Sequence, residues 1–195
     1  MTFSTLRRQL PLTVLTVLSI LILLGGYFVF TKATGNFHEV AQGLVYRSGQ
    51  LSAEQLGNKA SEFGLKSVIN LRGKPPKQKW YEAEIALCTS RGIQHFDVPS
   101  LSAGKDLSLE QMDALVSLLR DAPKPLLIHC KDGADRAALA SALYHMAIEG
   151  KTLNEADNEL TVWYGHIPFI TPHVAAMGRS LHAYAANRPP PTPQP

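Results

Sequence analysis

The hydrophobic pattern divides the chain into two unlike parts. Residues 9–31 carry no charge, and residues 11–30 are almost wholly apolar. Twenty helical residues rise about 30 Å, the thickness of a bilayer core, which predicts a transmembrane helix. A secretory signal peptide has a shorter apolar run and a small-residue cleavage site. Thr31-Lys32-Ala33-Thr34-Gly35 matches such a site poorly, so an uncleaved signal anchor over residues 11–31 is expected. Beyond it, short apolar runs alternate with amphipathic stretches. Strands are expected at residues 40–46 (as a hairpin or strand pair), 67–71, 93–98 and 126–128. Helices are expected at 52–63, 80–89, 108–120, 137–149, 153–163 and 171–185, with Ser52 and Ser108 as caps and Gly64 and Gly92 as stops. Strands alternating with helices predict an α/β domain with a mostly parallel central sheet flanked by helices, preceded by one N-terminal transmembrane helix.

The length of 195 residues leaves room for one domain of roughly 150 residues. The expected layout is a flank at 1–10, the anchor at 11–31, the domain at 36–187 and a proline-rich tail at 188–195, extended or disordered. Arg7 and Arg8 precede the anchor and Lys32 alone follows it closely, so the positive-inside rule places the N-terminus in the cytoplasm. The domain then lies outside, in the periplasm if the cell is bacterial. A net charge of +3 is too mild to imply nucleic-acid binding. The two cysteines, Cys88 and Cys130, form no zinc-spaced cluster, and no metal or cofactor is expected. Tyr81, Ile85 and Cys88 share one helical face, which reads Cys88 as a small core residue.

The chemistry concentrates in Leu126-Leu127-Ile128-His129-Cys130-Lys131-Asp132-Gly133-Ala134-Asp135-Arg136. A strand, a glycine-containing loop and a helix N-terminus make an anion cradle, because loop N–H groups converge and the helix dipole adds positive potential. A cysteine in that field favours its nucleophilic thiolate form. Arg136 offers a planar fork of donors suited to phosphate oxygens. Thiolate and oxyanion clamp together point to phosphoryl transfer.

His129-Cys130, five residues, then Arg136 resembles the signature loop of the cysteine-dependent protein tyrosine phosphatases, in particular bacterial dual-specificity-like enzymes. Rhodanese sulfurtransferases usually have four intervening residues. Tyr46-Arg47-Ser48-Gly49-Gln50-Leu51 resembles the opening segment of the same phosphatases. The resemblance implies Cys130 as nucleophile, Arg136 as clamp, a phosphate loop of His129, Lys131, Asp132, Gly133 and Ala134, and a His129 that orients the loop. It also implies phosphomonoester hydrolysis through a cysteinyl phosphate.

Two departures stand out. Ala137 occupies the place where the family usually has a hydroxyl that helps discharge the intermediate. Asp132 and Asp135 give the loop a likeness to the myotubularin lipid phosphatases, which implies Asp135 as proton donor, and Lys131 resembles the phosphoinositide phosphatase related to tensin. The usual place of the general acid holds Ser100, Leu101 and Ser102, so Asp135, Asp106 and Asp97 all remain candidates. A phosphorylated protein and a phosphorylated lipid or inositol head group are both expected substrate classes, and a phosphate-binding pseudophosphatase is the remaining alternative. The basic segment with Lys74, Lys77 and Lys79 could steer an anion, and Arg72 could face the site, with a surface salt bridge as its plainer role.

Overall fold

The computed structural model describes residues 3–99 and 101–188. Met1 and Thr2 of the expected flank, Ser100 and the proline-rich tail beyond Arg188 lie outside the described residues. The chain forms two compact units, Met1–Thr34 and Gly35–Pro195. The first is helix α1, Phe3–Ala33, whose Thr13–Ala33 portion is long and apolar enough to cross a membrane.

The second unit is a five-stranded sheet between helical layers. Its elements are β1 (His38–Ala41), β2 (Val45–Ser48), α2 (Ala53–Phe63), β3 (Ser67–Asn70), α3 (Lys79–Arg91), β4 (Gln94–Asp97), α4 (Leu109–Asp121), β5 (Leu126–His129), α5 (Arg136–Ala147), α6 (Leu153–Asp157) and α7 (Ala175–Asn187). The strand order is β1-β2-β5-β3-β4, parallel except for the antiparallel edge strand β1. Parallel strands need crossover helices that cover both faces, and β2, β3 and β5 are accordingly buried at every position, whereas the edge strand β4 is not. In β5, Leu126 and Ile128 join one apolar cluster, with Met112, Leu115, Leu139, Leu143 and Leu181 from α4, α5 and α7. Leu127 joins the other, with Leu56, Ala60 and Cys88 from α2 and α3.

Local signals set the helix ends as expected. Ser52 with Gln55 and Ser108 with Gln111 form reciprocal capping boxes, and Gly64 ends α2 in the left-handed conformation at φ +63°. The helix expected over residues 153–163 instead stops at Asp157, followed by turns and a 3-10 turn at Val162–Tyr164. The reason is long-range. Both the backbone carbonyl and the carboxylate of Glu159 are taken by the buried Arg47, so that carbonyl is withdrawn from a helical ladder. The segment expected as one helix over 171–185 likewise opens with a 3-10 turn, Pro172–Val174, before α7.

Candidate active site

β5 is the central strand, and its last residue aligns with the last residues of both neighbours: Ser48 and Asn70 each pair with His129. Three chain segments therefore leave the sheet together at the carboxyl edge, where open α/β sheets bind ligands. Residues 130–135 form the loop that joins β5 to α5. Cys130 is buried, and its Sγ accepts the Gly133 N–H at 3.2 Å.

Three successive carbonyl oxygens of this loop are tied outward. The Gln50 N–H donates to Lys131 O at 3.0 Å, Asn36 Nδ2 to Asp132 O at 3.0 Å, and Arg47 Nη2 to Gly133 O at 2.6 Å. In a trans peptide the N–H opposes the C=O. The N–H groups of Asp132, Gly133 and Ala134 are thereby turned the other way, toward the cysteine side. Gly133 is required twice over. Its φ is +73°, and a Cβ there would lie 2.5 Å from Gly49 N and 2.7 Å from Ser48 C. A Cβ on Gly49 would in turn meet Asp132 C at 3.1 Å, so the loop packs backbone to backbone on the end of β2.

Beneath the loop runs a buried polar chain. Arg47 pairs with Glu159, Glu159 Oε1 lies 3.3 Å from His145 Nε2, and His145 Nδ1 lies 2.7 Å from Glu149 Oε2. Burial pushes the His145 imidazole down, but its bonds to Glu159 and Glu149 outweigh this and hold it above the ordinary value. Burial would raise the Glu159 carboxyl, yet His145 and Arg47 hold it below the usual range. Arg47 also lies 4.6 Å over the Tyr164 ring, and Asn36 Nδ2 reaches Tyr164 O at 2.9 Å.

On the opposite face His129 Nε2 lies 3.1 Å and His95 Nε2 2.9 Å from Glu84 Oε1, while Gln50 Nε2 donates to Glu84 Oε2 at 2.8 Å. Burial alone would raise Glu84; the His129 and His95 contacts and Gln50 instead hold it well below the carboxylate range. His129 is thus fixed by α3. The ligand atoms of Glu84, His95 and His129 lie within 4.8 Å of one another, close enough for a metal, but hydrogen bonding to one shared carboxylate already accounts for the grouping. Cys88 is buried in the core cluster beside them, and burial, with Glu84 second, pushes its thiol up to about 12.

The remaining candidates are spread around the rim. Arg136 opens α5, and its Nη1 donates to Leu71 O and Leu101 O, both at 3.3 Å. Asp135, immediately before it, places Oδ1 2.8 Å from Nδ1 of the buried His166. Asp97 ends β4 with both oxygens engaged, by Asn70 Nδ2 at 2.9 Å and the Tyr81 hydroxyl at 2.5 Å. Asp106 is exposed and paired with Arg179, on α7. Lys131 and Asp132 are exposed, and Ala134 is buried against Gly165. Arg72 is held by Gln50 and Trp80 rather than by a salt bridge. Asn36, Arg47, Gln50, Glu84 and His166, which all touch this machinery, were not picked out by motif reading. The resemblance of residues 46–51 to a phosphatase opening segment was the one signal that covered any of them.

A cysteine cradled between a parallel strand and a helix that begins with arginine is the mark of the cysteine-based tyrosine and dual-specificity phosphatases. The chain belongs to the family described as DSP-PTPase phosphatase fused to NAD+ kinase, which matches residues 27–164. No curated protein matches it in sequence. Among solved structures, it is similar to P. aeruginosa TpbA, at 18% identity over 77% of this chain and 91% of that one, with a TM-score of 0.54. A cysteine-to-serine TpbA in complex with pTyr gives a TM-score of 0.55 with the same identity and coverage. The core catalytic domain of the S. cerevisiae PP-IP phosphatase SIW14, in complex with citrate, matches at 18% identity over 78% and 91% of the two chains, with a TM-score of 0.57. At these identities the likeness establishes the fold.

Proposed function

We propose that the protein is a membrane-anchored phosphatase that hydrolyses phosphomonoesters through a cysteinyl-phosphate intermediate. The observation that carries this reading is the outward tethering of the Lys131, Asp132 and Gly133 carbonyls around the Cys130 thiol. It leaves a preorganised ring of N–H donors where charge develops in the transition state, so little reorganisation is needed when the phosphoryl group arrives. Cys130 attacks phosphorus in line, and the phosphorus–oxygen bond to the leaving group breaks. Arg136 and the loop N–H groups hold the equatorial oxygens. Asp135 gives its proton to the departing oxygen, then takes one from the water that cleaves the sulfur–phosphorus bond. Its hydrogen bond to His166 keeps the carboxyl at the helix start. Helix α1 crosses the membrane with its N-terminus in the cytoplasm, so the catalytic unit works on the other side.

Two substrate classes stay in view. A phosphoprotein fits the pTyr complex of the TpbA variant. A phosphorylated inositol or lipid head group fits the likeness to the PP-IP phosphatase SIW14, and the basic residues Arg72, Lys74, Lys77 and Lys79 favour it. The test is phosphate release from p-nitrophenyl phosphate by the full chain in detergent micelles. Cys130→Ser is expected to abolish turnover while phosphate still binds. Turnover that survives the substitution would sink the mechanism.

A further inference from the structure

We infer that Arg72 forms a second anion subsite beside the Cys130 loop, and that the substrate carries a second phosphate close to the one that is cleaved. This rests on the phosphatase reading above and narrows its substrate class.

Arg72 follows β3 at the carboxyl edge of the sheet, and its turn is fixed by the buried Asn70. The Asn70 Oδ1 accepts the Arg72 N–H at 2.8 Å, and its Nδ2 donates to Gly73 O at 2.9 Å. Arg136 donates to the carbonyl of Leu71, the residue just before Arg72, so the arginine of the loop is bonded to the peptide group that leads into Arg72. The Arg72 guanidinium lies 3.7 Å over the Trp80 ring centroid and donates to Gln50 Oε1 at 2.9 Å. Gln50 is itself pinned, by Lys131 O and by Glu84. Arg72 is therefore held at a set position relative to the phosphate loop rather than free on the surface.

What this guanidinium lacks, among the described residues, is a direct ion pair. Among the described residues, no carboxylate lies within 4.0 Å of it, and the Gln50 bond engages only one of its donors. Burial and the nearby Arg136 charge push Arg72 below its ordinary value, while Glu84, Cys130 and Asp132 act the other way. A half-buried arginine that feels a second arginine is relieved by an anion between or beside them, and its planar fork suits phosphate oxygens. The surrounding segment agrees. Residues 72–81 hold Arg72, Lys74, Lys77 and Lys79 and no acidic residue. A lone phosphotyrosine side chain offers this subsite no anion, and the indole face under Arg72 is already covered. A diphosphate or a vicinal bisphosphate, free in solution or as a lipid head group, supplies both charges.

Binding separates this subsite from the catalytic loop. With the full-length Cys130→Ser chain in detergent micelles, pyrophosphate is expected to bind about ten-fold tighter than phosphate. Arg72→Met in that background is expected to weaken pyrophosphate about ten-fold more than phosphate. Equal affinity for the two anions, or an equal loss of both in Arg72→Met, overturns the inference. Should Arg72→Met not fold, Arg72→Lys decides: it keeps a cation, so its preference persists and falls as salt rises. A preference insensitive to salt counts against the subsite. The unsubstituted chain is assayed in parallel on p-nitrophenyl phosphate, and on a vicinal inositol bisphosphate against the monophosphate, each free and as a short-chain lipid. Faster turnover of either bisphosphate supports the inference, and whether the free or the lipid form is preferred identifies the source. Release from p-nitrophenyl phosphate without any bisphosphate preference removes the subsite alone. No release at all removes the phosphatase reading with it.

Discussion

At the scale of single residues, three aspartates compete for one role, and the structure gives each a different employment. Asp97 is clamped by Asn70 and Tyr81, Asp106 pairs with Arg179 on the surface, and Asp135 adjoins Arg136 with His166 on its carboxylate. Asp135→Asn is therefore expected to lower kcat about 10²–10⁴-fold, the usual contribution of a general acid. The loss should be greater on phenyl phosphate than on p-nitrophenyl phosphate, because the poorer leaving group depends more on its proton. Asp106→Asn should leave both rates within about two-fold, and Asp97→Asn should lower the melting temperature instead. An Asp106→Asn rate loss that depends on the leaving group would move the role to Asp106. The strand, loop and helix start that carry Cys130 and Arg136 were legible in the sequence because one continuous stretch, residues 126–136, records them. Asn36 and Arg47 were not, since they act on backbone carbonyls 96 and 86 positions away, and no local spacing records such a bond.

At the scale of elements, short apolar runs located the strands and the helical period of apolar positions most of the helices, since burial leaves a plain signal in both. It failed at residues 153–163, where Arg47 draws the Glu159 backbone out of a helix. That same pair supports the active loop from below, so its energetics are expected to reach the site. Glu159→Gln leaves a fully buried guanidinium without its charge partner and is expected to cost about 3–5 kcal/mol by urea denaturation. His145 links this pair to pH. Its folded value lies above its unfolded one, so the protonated ring stabilises the fold. That contribution is complete below about pH 6.5 and disappears as pH rises through the raised folded value. His145→Gln should flatten the fall in stability across that window, and an unchanged slope would show that another group sets it.

For the molecule as a whole, an apolar helix precedes a charged catalytic unit. If α1 spans a bilayer, the chain stays in the membrane pellet after alkaline carbonate extraction, and protease added to sealed right-side-out vesicles digests the catalytic unit. Release by carbonate would argue for a peripheral chain. The three tethers of the phosphate loop have a consequence at this scale too. All three come from residues 36–50: Asn36 just before the edge strand β1, Arg47 on β2 and Gln50 just past it. Edges open more readily than centres, so the Asn36 tether, next to the edge strand, is released before those of Arg47 and Gln50 when the sheet frays. The nucleophile follows the central strand of the sheet, yet one of the tethers that shape its loop hangs from the border.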